Sequence, residues 1–190
     1  MNRLLMKSLA LAALVLYMSA ASAYANEEHV KLTFSGTSGN SAMSLMQPNS
    51  SNDEDQFAGD GTLGSFTLRN LRAISNAPGS SPSCTGANKL FLPESAGAGV
   101  FRFNDGSLLQ MSLTEGGDCI DLSTGVANCV LNFKITGGTG RFKNASGNLT
   151  MTETVLAVIA DTTNNPVFFT ATGDFTGTIH GVIKSECDGD

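Results

Sequence analysis

Alternation of apolar and polar residues with a period of two limits the fold of this chain more than any other feature. It runs through residues 66–74 and 167–183, and glycine-rich connections accompany it. No window of a dozen residues after residue 25 keeps the spacing of an amphipathic helix without Gly, Pro or a β-branched run. The sequence therefore predicts an all-β fold.

Eight runs of residues have strand character and are separated by turn-like segments. We predict strands at residues 30–34, 66–74, 89–92, 99–103, 108–114, 129–136, 149–160 and 167–183. The turns at 104–106 and 161–166 are typical of antiparallel hairpins. Short strands without intervening helices indicate a sandwich or a closed barrel. Repeated glycines on the apolar face of the last strand favour a small barrel.

Residues 37–64 depart from this pattern. They are rich in Ser, Asn, Asp and Gly and contain an acidic cluster at Asp53, Glu54, Asp55 and Asp60. We interpret the segment as a long flexible, solvated loop. The alternative is a lid over the mouth of a barrel.

The first 25 residues have the pattern of a secretory signal peptide. Arg3 and Lys7 precede an apolar stretch at residues 9–18, and Ala23-Tyr24-Ala25 fits a cleavage site, as does Ala21-Ser22-Ala23. We predict one domain over residues 26–190, secreted or periplasmic, and cleavage changes the net charge from −6 to −8. This acidity argues against a nucleic-acid partner.

The cysteines Cys84, Cys119, Cys129 and Cys187 all follow the signal segment, and an even number in an oxidising compartment predicts disulfides. Three pairings are possible. We favour Cys119 with Cys129 across a hairpin that turns at residues 123–125, and Cys84 with Cys187. No C-x-x-C pair is present and both histidines are isolated, so we expect no metal and no cofactor.

Glu153 is the one candidate acid or base, since it shares its parity with Leu149, Met151 and Val155 and a carboxyl inside a barrel has a raised pKa. The opposite parity is also half apolar, so the inward orientation stays open. Candidate cavity residues are Met151, Phe169 and Phe175.

The string Gly137-Gly138-Thr139-Gly140-Arg141-Phe142, followed by Ala145 and Gly147, is not a phosphate loop, because a strand follows it rather than a helix. It resembles the G-G-T-G-R-F-x-x-A-x-G stretch of dirigent proteins and of bacterial secreted proteins of the allene oxide cyclase-like barrel superfamily. The resemblance covers roughly residues 98–182. It implies an eight-stranded antiparallel barrel of calycin-like shape, often trimeric, with a central apolar cavity, and it carries over no catalytic position.

Two hypotheses for the function follow. In the first, the barrel binds a small apolar molecule and steers its cyclisation or coupling without covalent catalysis; whether the chain is an enzyme stays open. In the second, it is a non-catalytic structural or adhesive extracellular protein whose barrel is filled by side chains. A cavity that solvent can reach distinguishes the two.

Overall fold

A computed structural model describes residues 27–183, so the predicted signal peptide and Cys187 lie outside the described residues. Residues 27–183 form eight strands and one short 3₁₀ turn at Gly140–Phe142. The strands are β1 (Glu27–Asn40), β2 (Ser50–Gly61), β3 (Phe66–Ser75), β4 (Lys89–Phe103), β5 (Leu108–Asp121), β6 (Val126–Gly138), β7 (Ser146–Ala160) and β8 (Pro166–His180). No helix in residues 27–183 is long and apolar enough to cross a bilayer.

The eight strands close into one antiparallel barrel. Each strand pairs with the next along the chain, and β8 pairs with β1 over most of its length. Closure leaves no strand edge exposed. The all-β prediction is confirmed, and the choice between sandwich and barrel is settled in favour of the barrel.

The segment 37–64 is not a long loop. Residues 37–40 end β1, residues 50–61 form β2, and only residues 41–49 connect the two strands. The acidic and glycine-rich composition of β2 gives it little strand propensity, so the sequence did not predict it. It forms a strand because β1 and β3 pair with it on either side. The predicted strands at 89–92 and 99–103 are likewise parts of one strand, β4.

Phenylalanine rings fill one end of the barrel interior, the end with the β2–β3, β4–β5 and β6–β7 connections, called the lower end here. The rings of Phe34 and Phe57 stack with centroids 4.5 Å apart, and those of Phe103 and Phe142 lie 4.8 Å apart. Eight phenylalanines are almost fully buried: Phe34, Phe57, Phe66, Phe101, Phe103, Phe133, Phe142 and Phe175. An eight-stranded barrel is narrow enough for such side chains to close it.

The glycine motif seals this lower end. Gly140 has a φ of +58°, and a Cβ there would collide with Ser107. This turn places the Arg141 guanidinium 4.6 Å from the centre of the Phe142 ring, and Arg141 also pairs with Asp105 at 3.2 Å. The motif therefore has a structural role, and it lies at the end of the barrel opposite the cavity described below.

The disulfide pairing differs from the prediction. Cys84 is bonded to Cys119, which ties the β3–β4 loop to the outer face of β5. A bridge from Cys119 to Cys129 is wrong because β5 and β6 pair Asp118 with Cys129, so the two cysteines face opposite sides of the wall. The predicted Cys84–Cys187 bridge is wrong as well, since Cys84 is already paired.

Candidate functional site

A cavity of about 200 Å³ opens at the upper end of the barrel, opposite the glycine motif. All eight strands contribute to its walls, and its apolar lining comes from six of them: Ile74, Leu92, Ile120, Ala127, Val155 and Phe169. Polar groups line it as well, among them Asp53, Arg72, Asp118 and Cys129. The interior thus has two parts, a filled aromatic core below and an open cavity above.

Arg72, on β3, lies at the floor of this cavity and is only 2% exposed. Asp55 on β2 holds it through two contacts, Nε to Oδ2 at 2.9 Å and Nη2 to Oδ1 at 3.2 Å. The amide of Asn70 donates a further hydrogen bond to Asp55 Oδ2, at 3.0 Å. This two-point contact fixes the plane of the guanidinium.

The remaining nitrogen of Arg72, Nη1, faces carboxyl groups from three further strands. Glu94 on β4 lies 2.8 Å away and Glu153 on β7 lies 3.1 Å away. Asp118 on β5 is more distant, at 3.8 Å. We call the group formed by Arg72, Asp55, Glu94, Asp118 and Glu153 the Arg72 cluster.

Strand register explains how distant residues meet in this cluster. Residues directly opposite each other on neighbouring strands point to the same side of the wall. Asp118 pairs with Cys129, and Cys129 pairs with Glu153, so the three side chains form an inward row across β5, β6 and β7. Asp53 pairs with Arg72 in the same way across β2 and β3.

Carboxyl groups outnumber positive charges at this end of the barrel. Arg72 is the only basic side chain among the buried residues of the described chain. It faces the four carboxyls of the Arg72 cluster, and Asp53 lies beside it at the cavity. An isolated buried carboxylate is costly, and this cost raises the pKa values of Asp53, Glu94 and Glu153.

The pKa values follow this surplus. Burial raises the pKa of Glu153 to about 7, against the opposing charge of Arg72. Burial raises the pKa of Asp53 to about 6 and that of Glu94 well above its usual range, again against Arg72. Burial alone would lower the pKa of Arg72, but the carboxylates, Asp55 foremost, raise it.

Cys129 is the free cysteine of residues 27–183 and lines the cavity wall. Burial raises the pKa of its thiol well above the usual value, and the charges of Asp118 and Glu153 add to the shift. The thiolate is the nucleophilic form of cysteine. The side chain is therefore held as a neutral thiol and serves as part of the wall.

The structure separates the residues that the sequence singled out. Glu153 points inward and is 4% exposed, but it lies beneath the cavity and does not line it. Phe169 lines the cavity, whereas Met151 and Phe175 are fully buried in the core below. Asp53, which sequence reasoning assigned to a solvated loop, lines the cavity instead.

Sequence reasoning missed most of the Arg72 cluster. Strand parity contained the signal: Asn70 shares one face of β3 with Phe66, and Arg72 follows two residues further along the same face. On β2 the parity of buried Phe57 extends to Asp55 and Asp53 in the same way. The interpretation of residues 37–64 as a loop leaves the inward parity of Asp53 and Asp55 unused.

The arrangement supports two kinds of chemistry. Apolar walls bind an apolar body, and polar groups on the floor fix its orientation. Asp53, with a pKa about one unit below neutrality, lines the cavity and can exchange a proton with a bound molecule near neutral pH. Glu153 acts on such a molecule only through Arg72 and is in that sense a positioning residue.

No protein-family model matches the chain, and no curated protein matches it. Among solved structures, it is similar to the pterocarpan synthase dirigent protein PsPTS1, with a TM-score of 0.44 and 14% identity over 84% of this chain and 97% of that one. It is also similar to the pterocarpan synthase dirigent protein GePTS1, with a TM-score of 0.36 and 12% identity over 80% of this chain and 89% of that one. These likenesses concern the fold alone.

Proposed function

We propose that this chain is a secreted or periplasmic barrel protein that binds a small apolar molecule in its upper cavity and steers the cyclisation or coupling of that molecule without covalent catalysis. The observation that carries the proposal is the position of the Arg72 cluster. Buried charges contribute little to stability and often reduce it. Five strands converge to place such charges directly beneath an apolar-walled opening, which a purely structural barrel does not need.

The cavity supplies three things to such a reaction. Ile74, Val155 and Phe169 enclose the apolar body, which favours one conformer and excludes water. Arg72 fixes the positions of the carboxyl groups around it and so keeps the polar floor of the cavity rigid. Asp53 takes up or releases a proton at a polar group of the molecule.

The alternative, a structural or adhesive protein, draws support from the rim of the barrel. Met46 is 90% exposed, and Ile159 and Phe168 are 55% and 38% exposed near the upper end. Exposed apolar side chains in such positions are typical of contact surfaces. The aromatic core below also fills the barrel as that hypothesis expects.

Native mass spectra of the protein from its own host test the proposal. We expect a small co-purifying mass that leaves on unfolding. Ala127→Phe should abolish it, because Ala127 lines the cavity and a ring fills the space. Ala87→Phe, at an exposed position in the β3–β4 connection, is the matched control and should retain the mass. Ligand-free spectra for all three proteins would favour the structural alternative.

A further inference from the structure

The charge of the cavity floor carries information about the ligand. Arg72 is already held by Asp55 on one side and by Glu94 and Glu153 on the other. Asp118 is left at the long distance of 3.8 Å from Arg72. The nearest positive charge therefore does not fully balance the carboxyls that reach the cavity.

Asp118 is the carboxyl group at the cavity that has a buried oxygen without a hydrogen-bond partner in the described chain, and the Ser38 hydroxyl at the same cavity has none either. The Asp118 side chain lines the cavity, the residue is 7% exposed, and the atom without a partner in residues 27–183 is Oδ1. Asp53 lines the same cavity, and the charge of Asp118 contributes to its raised pKa. Two carboxyl groups with spare acceptor capacity thus face one small space.

The walls restrict what can satisfy these groups. The lining is predominantly apolar, from Ile74 and Leu92 on one side to Val155 and Phe169 on the other. A hydrated inorganic cation does not match such walls, whereas an organic body does. An ammonium group offers three donors and a full positive charge, which suits carboxylate acceptors.

We propose that the cavity binds a primary ammonium ligand with a compact apolar body, its charged nitrogen lying against Asp118 and Asp53. This inference rests on the proposed function, because it names the class of molecule that the cavity takes. A carboxylate ligand is disfavoured, since it would add negative charge beside Asp118. A neutral ligand leaves the surplus carboxylate without a counter-charge.

Four small ligands of matched shape test the proposal: toluene, benzyl alcohol, benzylamine and benzoate. A cavity of about 150 Å³ in another protein binds benzene, so a single ring is a suitable size. Calorimetry in phosphate buffer at pH 7.5 gives the dissociation constants. We expect benzylamine, protonated at this pH, to bind about tenfold or more tightly than benzyl alcohol.

Two variants identify the carboxylates that carry this preference. Asp118→Asn should reduce the preference for benzylamine over benzyl alcohol to less than about threefold, and Asp53→Asn provides a second, independent test. Glu115→Gln is the control, because Glu115 lies on the same strand but is exposed on the outer face. It should keep the preference unchanged.

The outcomes separate this inference from the proposed function. Equal binding of benzylamine and benzyl alcohol, tightest binding of benzoate, or a preference that survives both Asp variants would overturn the ammonium assignment. Toluene binding in any of those cases leaves the apolar cavity function standing. If none of the four ligands binds, the ammonium assignment and the proposed function fail together.

Discussion

Substitution of Glu153 by Gln changes the charge of the Arg72 cluster with little change in shape. Gln retains an oxygen at the position of Glu153 Oε1, which lies 3.1 Å from Arg72 Nη1. At low pH the wild-type side chain is protonated, so the two proteins carry the same charge at this position. The substitution therefore isolates the cost of ionising one buried carboxyl.

The pKa of Glu153 gives the magnitude. It is about 7 in the folded barrel, against 4.5 for an ordinary glutamate. The stability that this raised pKa contributes is fully present below pH 4.5 and is lost as the pH rises to 7, because the unfolded chain releases the proton first. The loss is about 3 kcal/mol. Above pH 7 we expect Glu153→Gln to be more stable than the wild type by about this amount.

Urea unfolding of both proteins at pH 4.5 and pH 8.5 measures this difference. The free energies of unfolding should agree within about 0.5 kcal/mol at pH 4.5 and diverge at pH 8.5, with the variant the more stable. Glu115→Gln, on the outer face, should have the same free energy of unfolding as the wild type at both pH values. A difference between wild type and Glu153→Gln that is independent of pH would refute the reasoning, as would a variant less stable at pH 8.5.

Other substitutions test separate parts of the structure. Arg72→Met removes the only buried positive charge among residues 27–183 and should lower the free energy of unfolding in urea by about 3–5 kcal/mol at pH 8. The loss should be smaller at pH 4.5, where the raised pKa values of Glu94 and Glu153 leave these two groups protonated. Cys84→Ser opens the bridge to Cys119, which spans 35 residues, and should lower the free energy of unfolding by about 2–4 kcal/mol in thermal or denaturant scans. Phe142→Ala leaves a hole at the sealed lower end and should cost about 3–5 kcal/mol by the same measurement, without changing ligand affinity in the upper cavity.

The fold was largely predictable because its signal is local and repeated. Alternation puts Phe66 and Leu68 on one face of β3 and Ala171 and Phe175 on one face of β8, and all four side chains are buried inside the barrel. β2 was missed because its sequence has little strand propensity of its own. It is a strand because neighbours on both sides supply its hydrogen bonds, which a single sequence does not display.

The candidate site was less predictable for a geometric reason. Its charged residues come from five strands that are separated along the chain, and only closure of the barrel brings them together. Parity left the orientation of Glu153 open and gave no depth along the barrel axis, so the sequence did not indicate its place beneath the cavity. The predicted Cys119–Cys129 pairing is wrong for a similar reason. The register pairs Cys129 with Asp118 rather than with Cys119, and this difference of one residue puts Cys119 on the outer face.

The most direct test of the account is methyl NMR of the protein during titration with toluene. The account predicts saturable chemical-shift changes at the cavity methyls of Ile74, Leu92 and Val155, and none at Leu109 or Leu131 in the filled core. Ala127→Phe should abolish these changes. Absence of saturable changes in the wild type, or changes confined to the exposed rim at Met46 and Ile159, would contradict a ligand cavity inside the barrel.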